Sequence, residues 1–402
     1  MAIVDIEVGL PEDELAIQDT VHKFAKEVMR PVGAELDKMN DPADVTAEGS
    51  PFWEATARFH ELGLDFFQMP ETPEEMLKVA RIRALVSEEL GWGDAGLAIS
   101  FGAGSFPRLL SRLTGIPELI DRFGAPDNTE IGCWAITEPD HGSDMIQIDA
   151  MRFGGTRASR PNCVARRDGD DFVINGTKAA WVSNGTIATS AALFCAVTDG
   201  SDLLGGGIFL VPLDLPGVSR GKPLNKIGQR PLNQGELFFD DVRIPAIYQV
   251  SGPETYDFLV DQVLCLANAG MGVTFVGLAR AALEEAVAYA KERVQGGLPI
   301  IEHQSVKARL FKMFTSVEAA RSLARRASYY NATHEPLVQY SIASKVFATN
   351  TAFEVASGAL QIFGGNGLSR EYPIEKMMRD ARASMIEDGC NDILSLVGAG
   401  KL

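Results

Sequence analysis

Two adjacent carboxylates, Glu387 and Asp388, stand immediately before a glycine near the end of this 402-residue chain. A carboxylate held in a cleft can act as a general base, and two side by side push one proton affinity toward neutrality. Leading into them, Met377, Met378, Ala381 and Met385 recur at three- and four-residue steps. That spacing predicts a helix with one apolar face over residues 374–386. Gly389 suits the position that stops such a helix. The carboxylates would then leave the helix end about 100° apart, so that one of them faces the cleft. Upstream, Gly364, Gly365 and Gly367 permit positive φ and close approach of a ligand to the backbone. Taken singly, such glycines make turns, and Glu-Asp pairs are solvated or capping groups.

Three other strings carry polar groups suited to a ligand. Residues 135–144 read AITEPDHGSD, a strand end followed by a turn, with Ile136, Thr137 and Ser143 available through backbone and hydroxyl groups. Residues 181–185 read WVSNG, an aromatic and a hydroxyl on a strand. Arg293 closes a long helical stretch, ahead of Gly296, Gly297 and the EHQ of residues 302–304. Arginine offers a charged bidentate fork to phosphate, although an arginine at a helix C-terminus is also favourable by itself. Asp94 reads first as a helix N-cap.

The order and spacing of these strings resemble those of the flavin-dependent acyl-CoA dehydrogenases over essentially the whole chain. The resemblance implies FAD as cofactor and an acyl-CoA as substrate. It places Asp388 where the family carries its catalytic base, normally a glutamate, and Glu387 where a tyrosine often stands. It assigns Trp134, Ile136, Thr137 and Ser143 to the flavin, with Ser143 also near the CoA chain. Trp181, Val182 and Ser183 would flank the flavin ring. One more residue than usual, Ala180 beside Ala179, precedes that tryptophan, and a β-bulge is the expected accommodation. Arg293, Gln304, Gln361, Gly364 and Gly365 would reach the FAD diphosphate across a subunit interface, with Gly296 replacing the family's phenylalanine. Cys390 and Asp392 stand where threonine and an amide are usual. Asn268, Gly389 and, as a minority reading, Asp94 would line the substrate. The helix position that carries the base in some relatives falls on Ala267 or Asn268, neither a carboxylate. The implied acceptor is an electron-transfer flavoprotein, and the implied assembly a homotetramer or homodimer. Two other readings stay open: a flavin oxidase or hydroxylase resembling the nitroalkane oxidases, which use an aspartate at this place, and an inactive acyl-binding subunit. Within the dehydrogenase reading, 1,4-elimination on a cyclic enoyl-CoA is a variant.

The elements that must position these groups fall into three zones. Residues 1–130 read as helices, 131–245 as antiparallel strands, and 246–402 as a helical bundle, an α+β multidomain chain. Pro31 is expected to kink or break a helix over residues 12–38, and Pro73 to begin the next. Residues 95–113 read as one buried helix. Asp168–Gly169 and Asn175–Gly176 read as hairpin turns. The net charge of −17 speaks against nucleic acid and anionic membranes. No run of eighteen apolar residues predicts a membrane span. Five scattered cysteines suit a reducing cytoplasm, and neither they nor the five histidines have metal-ligand spacing.

Overall fold

The computed structural model describes residues 5–63, 70–125, 128–146 and 161–402. Among the described residues, six α-helices of nine residues or more come first: α1 (Glu12–Phe24), α2 (Arg30–Lys38), α3 (Pro51–Glu61), α4 (Pro73–Gly93), α5 (Ala95–Gly104) and α6 (Phe106–Thr114). Their starts are written in the sequence. Pro73 is the first residue of α4, and Thr72 with Glu75 forms a reciprocal capping box. Asp94 caps α5 by accepting the Leu97 N–H. Two expectations are corrected here. Pro31 does not break the helix: the chain runs on from α1 into α2 through a π-turn at Ala25–Met29, with Pro31 in the first turn of α2. Residues 95–113 form two helices, parted at Ser105 before Pro107.

A mixed sheet follows: β1 (Gly132–Ala135), β2 (Val164–Asp168), β3 (Asp171–Ser183), β4 (Ser190–Thr198), β5 (Leu203–Pro212), β6 (Val218–Arg220), β7 (Gln234–Pro245) and β8 (Gln249–Ser251). The last strand extends the sheet past residue 245. The path runs β6-β7-β3-β1-β4-β5-β8. Both β1 and β2 pair parallel with β4 and antiparallel with β3, so they share one lane of the sheet. The chain leaves that lane after Ala135 and re-enters it at Val164. Asp168 and Asp171 do close a hairpin. Asn175–Gly176, read as a second hairpin, lies inside the thirteen-residue β3 at a register slip. Glycine is required there by φ of 134° and by β2, since a Cβ would meet Cys163 Cα at 2.5 Å.

Five helices complete the chain: α7 (Tyr256–Glu292), α8 (Gln304–Thr333), α9 (Val338–Phe363), α10 (Ile374–Ser384) and α11 (Asn391–Ala399). By length and composition α7 is apolar enough to cross a membrane, yet 78% of its most apolar stretch is buried in this fold, as a core helix would be. Phe275, Leu278 and Leu283 of α7 pack on Val317 of α8 and Ala352, Val355 and Ala356 of α9. Each such side chain contributes roughly 1.5–3 kcal/mol when fully buried. Buried charge welds α4 to this bundle: Glu88 meets Arg280, Arg321 and Arg325, and Glu89 meets Arg280.

Candidate active site

The gap in the shared lane is where the candidate ligand groups gather. Trp134 of β1 lies directly opposite Ser183 of β3, so residues 135–144 and 181–185, far apart in sequence, meet on adjacent strands. Below them Lys178 donates to the Ile136 carbonyl at 3.0 Å, and the Ala179 N–H donates to Thr137 at 2.9 Å. Lys178 and Glu138 form an ion pair at 2.7 Å in which both side chains are fully buried. The expected bulge is present: the β3–β7 register slips between Lys178 and Val182. It leaves Trp181 58% exposed while Val182 is buried.

The carboxylates arrive from the bundle. Helix α10 ends at Ser384, two residues sooner than expected, so Glu387 and Asp388 are not adjacent positions on a helix. Instead Asp388 has φ of +49° and Gly389 φ of +94°, a left-handed turn that reverses the chain before α11. Aspartate tolerates that region better than most side chains. Glycine is favoured at 389 by that positive φ, and a Cβ there would also crowd the Ile146 and Leu394 side chains. The Cys390 N–H then donates to Ser143 Oγ at 2.9 Å, which seats the carboxylate turn on the loop after β1.

Groups that local sequence reading missed hold this turn. Lys345 of α9 donates to the Gly389 carbonyl and to Asn391 Oδ1, both at 2.8 Å. It is the one cation in α9, which is the only cue the sequence gives. Gln229 Nε2 donates to Glu387 at 3.1 Å, and the Gln229 N–H donates to Asp380. Lys376 bridges Asp380 to Asp94. With one oxygen on the Leu97 N–H and the other on Lys376, Asp94 is a helix cap and an anchor for α10.

Both carboxylates are half-buried. Burial, then the neighbouring Asp388, pushes Glu387 up to about 7. Burial likewise raises Asp388, opposed by the Lys345 ammonium. Burial brings Lys345 down to about 8. The pair therefore titrates together, and two substitutions should move it in opposite directions. Glu387→Gln removes a like charge, so the acid limb of kcat/KM against pH should shift to lower pH. Lys345→Met removes the compensating ammonium, so the limb should shift to higher pH. Identical limbs in both variants and the parent would show that neither group bears on the base.

The remaining expected residues form a second group. Tyr289 stacks on Phe363 with ring centroids 4.1 Å apart, bringing the ends of α7 and α9 together. Arg293 and Gln361, Gly364 and Gly365 therefore lie at the same end of the bundle, all exposed, and Gln304 is exposed at the start of α8. Of Gly364, Gly365 and Gly367, only Gly364 has positive φ (61°). Asn268 is buried, donates to the Leu264 carbonyl, and keeps Oδ1 without a partner among the described residues. Asp392 is exposed in the first turn of α11, where negative charge suits a helix N-terminus.

These residues fit FAD. The Trp134 indole N–H is buried and has no partner among the described residues, a donor awaiting an acceptor. Around Gly364 and Gly365 nothing lies within 4 Å of an added Cβ, so a ligand can approach the backbone. Arg293 supplies an exposed guanidinium at the same end of the bundle.

Comparison with known proteins agrees along the whole chain. Residues 11–114, 133–242 and 262–401 match the N-terminal, middle and C-terminal domains of acyl-CoA dehydrogenases. The chain is 31% identical over 400 residues to the short-chain specific acyl-CoA dehydrogenase of Bos taurus mitochondria, covering 98% of this chain and 91% of that one. It is also 31% identical over 402 residues to the benzylmalonyl-CoA dehydrogenase of Aromatoleum aromaticum, covering 98% of both. Butyryl-CoA dehydrogenase from Megasphaera elsdenii superposes with a TM-score of 0.84 at 26% identity, covering 98% of this chain and 99% of that one. A chain from a structure of the electron transferring flavoprotein of Acidaminococcus fermentans gives the same score at 28% identity, covering 98% of both. The match of all three domains and the identity to relatives along nearly the full chain show that the protein belongs to the acyl-CoA dehydrogenase family, FAD-dependent oxidoreductases acting on CH–CH bonds.

Proposed function

We propose that the protein dehydrogenates an acyl-CoA thioester to the 2-enoyl-CoA with Asp388 as the base that removes the α-proton. The observation that carries this reading is the Cys390–Ser143 hydrogen bond, which brings the carboxylate turn against the residues that fit FAD. Trp181 and Trp134 would cover and orient the ring, and Ser183 would bond its reactive edge. Asn268, Gly389 and Ser143 would border the thioester. Bound FAD supplies the acceptor for the β-hydride. Arg293, Gln304, Gln361, Gly364 and Gly365, exposed on one protomer, would hold the diphosphate of a partner's FAD, which makes the working unit at least a dimer. A monomer in analytical ultracentrifugation of the FAD-loaded protein would exclude that arrangement. We place it in a reducing cytoplasm with an electron-transfer flavoprotein as acceptor.

The acyl group we propose is branched, cyclic or derived from an aromatic ring. Aspartate reaches about 1 Å less far than glutamate, and a misplacement of that size costs on the order of a hundredfold in rate. A bulkier acyl group brings the α-carbon to a shorter base. Overall identity does not choose between acyl groups, because relatives named for short-chain and for benzylmalonyl substrates match equally well. The test is an anaerobic titration with straight, branched and cyclic acyl-CoAs, following the flavin's visible absorbance. Bleaching by a branched or cyclic member and not by butyryl-CoA is the expected result. Bleaching by straight chains alone would overturn the substrate class. A yellow protein that no acyl-CoA bleaches, but that releases hydrogen peroxide with a nitroalkane, would overturn the reaction.

A further inference from the structure

Ser183 is held from behind by two residues that no motif singles out. Gln234 opens β7 directly opposite Ser183, so Ser183 sits between Trp134 on one side and Gln234 on the other. Gln234 is buried, at 6% exposure. Its Nε2 donates to the Trp181 carbonyl at 3.2 Å and to Ser183 Oγ at 3.3 Å. Its Oε1 accepts from Lys226 Nζ at 2.8 Å, and Lys226 also donates to the Leu232 carbonyl at 2.7 Å.

The orientation of a glutamine amide is decided by its partners. Lysine has only donors to give, so the amide oxygen must face Lys226. The amide nitrogen then faces Ser183. A serine hydroxyl that accepts from Nε2 must aim its own proton elsewhere, and the exposed Trp181 two residues away marks the open side of the strand. An ammonium at one end of the chain thereby fixes a hydroxyl rotor at the other.

We propose that Lys226 and Gln234 form a positioning relay that holds the Ser183 hydroxyl as a hydrogen-bond donor toward the flavin edge. Neither residue touches the flavin; both act through Ser183 and the backbone of Trp181. This rests on the reading of Ser183 as a flavin partner, and the two can fail separately. Lys226 is also the cation closest in effect to Glu387, whose proton affinity it lowers. The relay therefore links the strand behind the flavin to the carboxylate turn.

The experiment uses the FAD-loaded protein and reads the flavin's visible spectrum and two-electron midpoint potential, which need no turnover. Gln234→Glu is nearly isosteric, still accepts from Lys226, and cannot donate to Ser183. Gln234→Met removes the relay without adding charge, Lys226→Met removes the ammonium, and Ser183→Ala removes the donor. The expected result is that Ser183→Ala perturbs the spectrum and lowers the potential, by up to tenfold in the equilibrium constant, about 30 mV for a two-electron couple. Both Gln234 variants and Lys226→Met should move it the same way, and Gln234→Met should add nothing in a Ser183→Ala background. Lys226→Arg should restore the parent values. If Ser183→Ala shifts the flavin but Gln234→Met and Lys226→Met do not, the relay is overturned while the flavin contact stands. If Ser183→Ala itself leaves spectrum and potential unchanged, the flavin contact falls and the relay with it.

Discussion

Asparagine at position 388 should slow substrate-driven flavin reduction by about 10²- to 10⁴-fold, the range expected when a positioned general base is removed. The substitution isolates the proton transfer. Asparagine enters the left-handed region as readily as aspartate does, so the turn at φ of +49° should survive. The contacts that seat it, Cys390 on Ser143 and Lys345 on the Gly389 carbonyl, are made by backbone groups and by other side chains. FAD retention and thermal stability should therefore stay close to the parent. Because burial already raises Asp388, removing its charge relieves desolvation and should not destabilise the fold. Rapid-reaction measurement of flavin bleaching with the best acyl-CoA is the assay. A rate within threefold of the parent would remove Asp388 from the mechanism. Asp388→Glu is the informative companion: it restores about 1 Å of reach but enters the left-handed region less willingly. It should retain measurable activity and shift preference toward straighter acyl groups.

The sequence made some of this site legible and hid the rest for identifiable reasons. Trp134, Ser143, Trp181 and Ser183 could be marked because the order and spacing of the strings that carry them resemble those of a known family. Their convergence rests on β1–β3 pairing, which no local period reports. Asn175–Gly176 misled because the chemistry that favours a hairpin turn, freedom to adopt positive φ, equally favours a bulge where two strands come close. Pro31 misled because a proline penalty assumes a helix interior, whereas Pro31 stands in the first turn of α2. The left-handed Asp388 was hidden because the periodic methionines run past Ser384, where the helix stops. Lys345, Gln229, Lys226 and Gln234 are invisible locally: their partners lie 44, 158, 8 and 51 residues away. Gln229 gains its partner only when the C-terminal bundle packs against the sheet domain, and the other three gain theirs only when distant segments of their own domain fold together.

The deepest of these long-range pairs should also be the most costly to break. Lys178 and Glu138 have no side-chain exposure, and the lysine ties β3 to the loop that leaves the sheet lane. Glu138 also accepts the Cys163 N–H at the point where the chain re-enters that lane. Between them the pair fixes both ends of the excursion that carries Ile136, Thr137 and Ser143. Lys178→Met keeps the volume but strands a buried carboxylate, and loss of one partner from a buried pair costs about 3–5 kcal/mol. Urea unfolding followed by tryptophan fluorescence should show that loss. FAD should dissociate more readily, because the Ile136 carbonyl loses its donor and the loop beside the ring loosens. The double substitution Lys178→Met with Glu138→Gln removes the stranded charge and should recover most of the stability, since an amide left with its backbone donors is far cheaper to bury than an ion. It should recover less of the FAD affinity, because the Ile136 carbonyl remains without its lysine. A single variant as stable as the parent would mean that the pair contributes no net stability. A double variant as unstable as the single would mean that the lysine acts through packing, not charge. Separate recovery of stability and cofactor retention would identify the pair as the device that joins folding of the sheet to the shape of the flavin crevice.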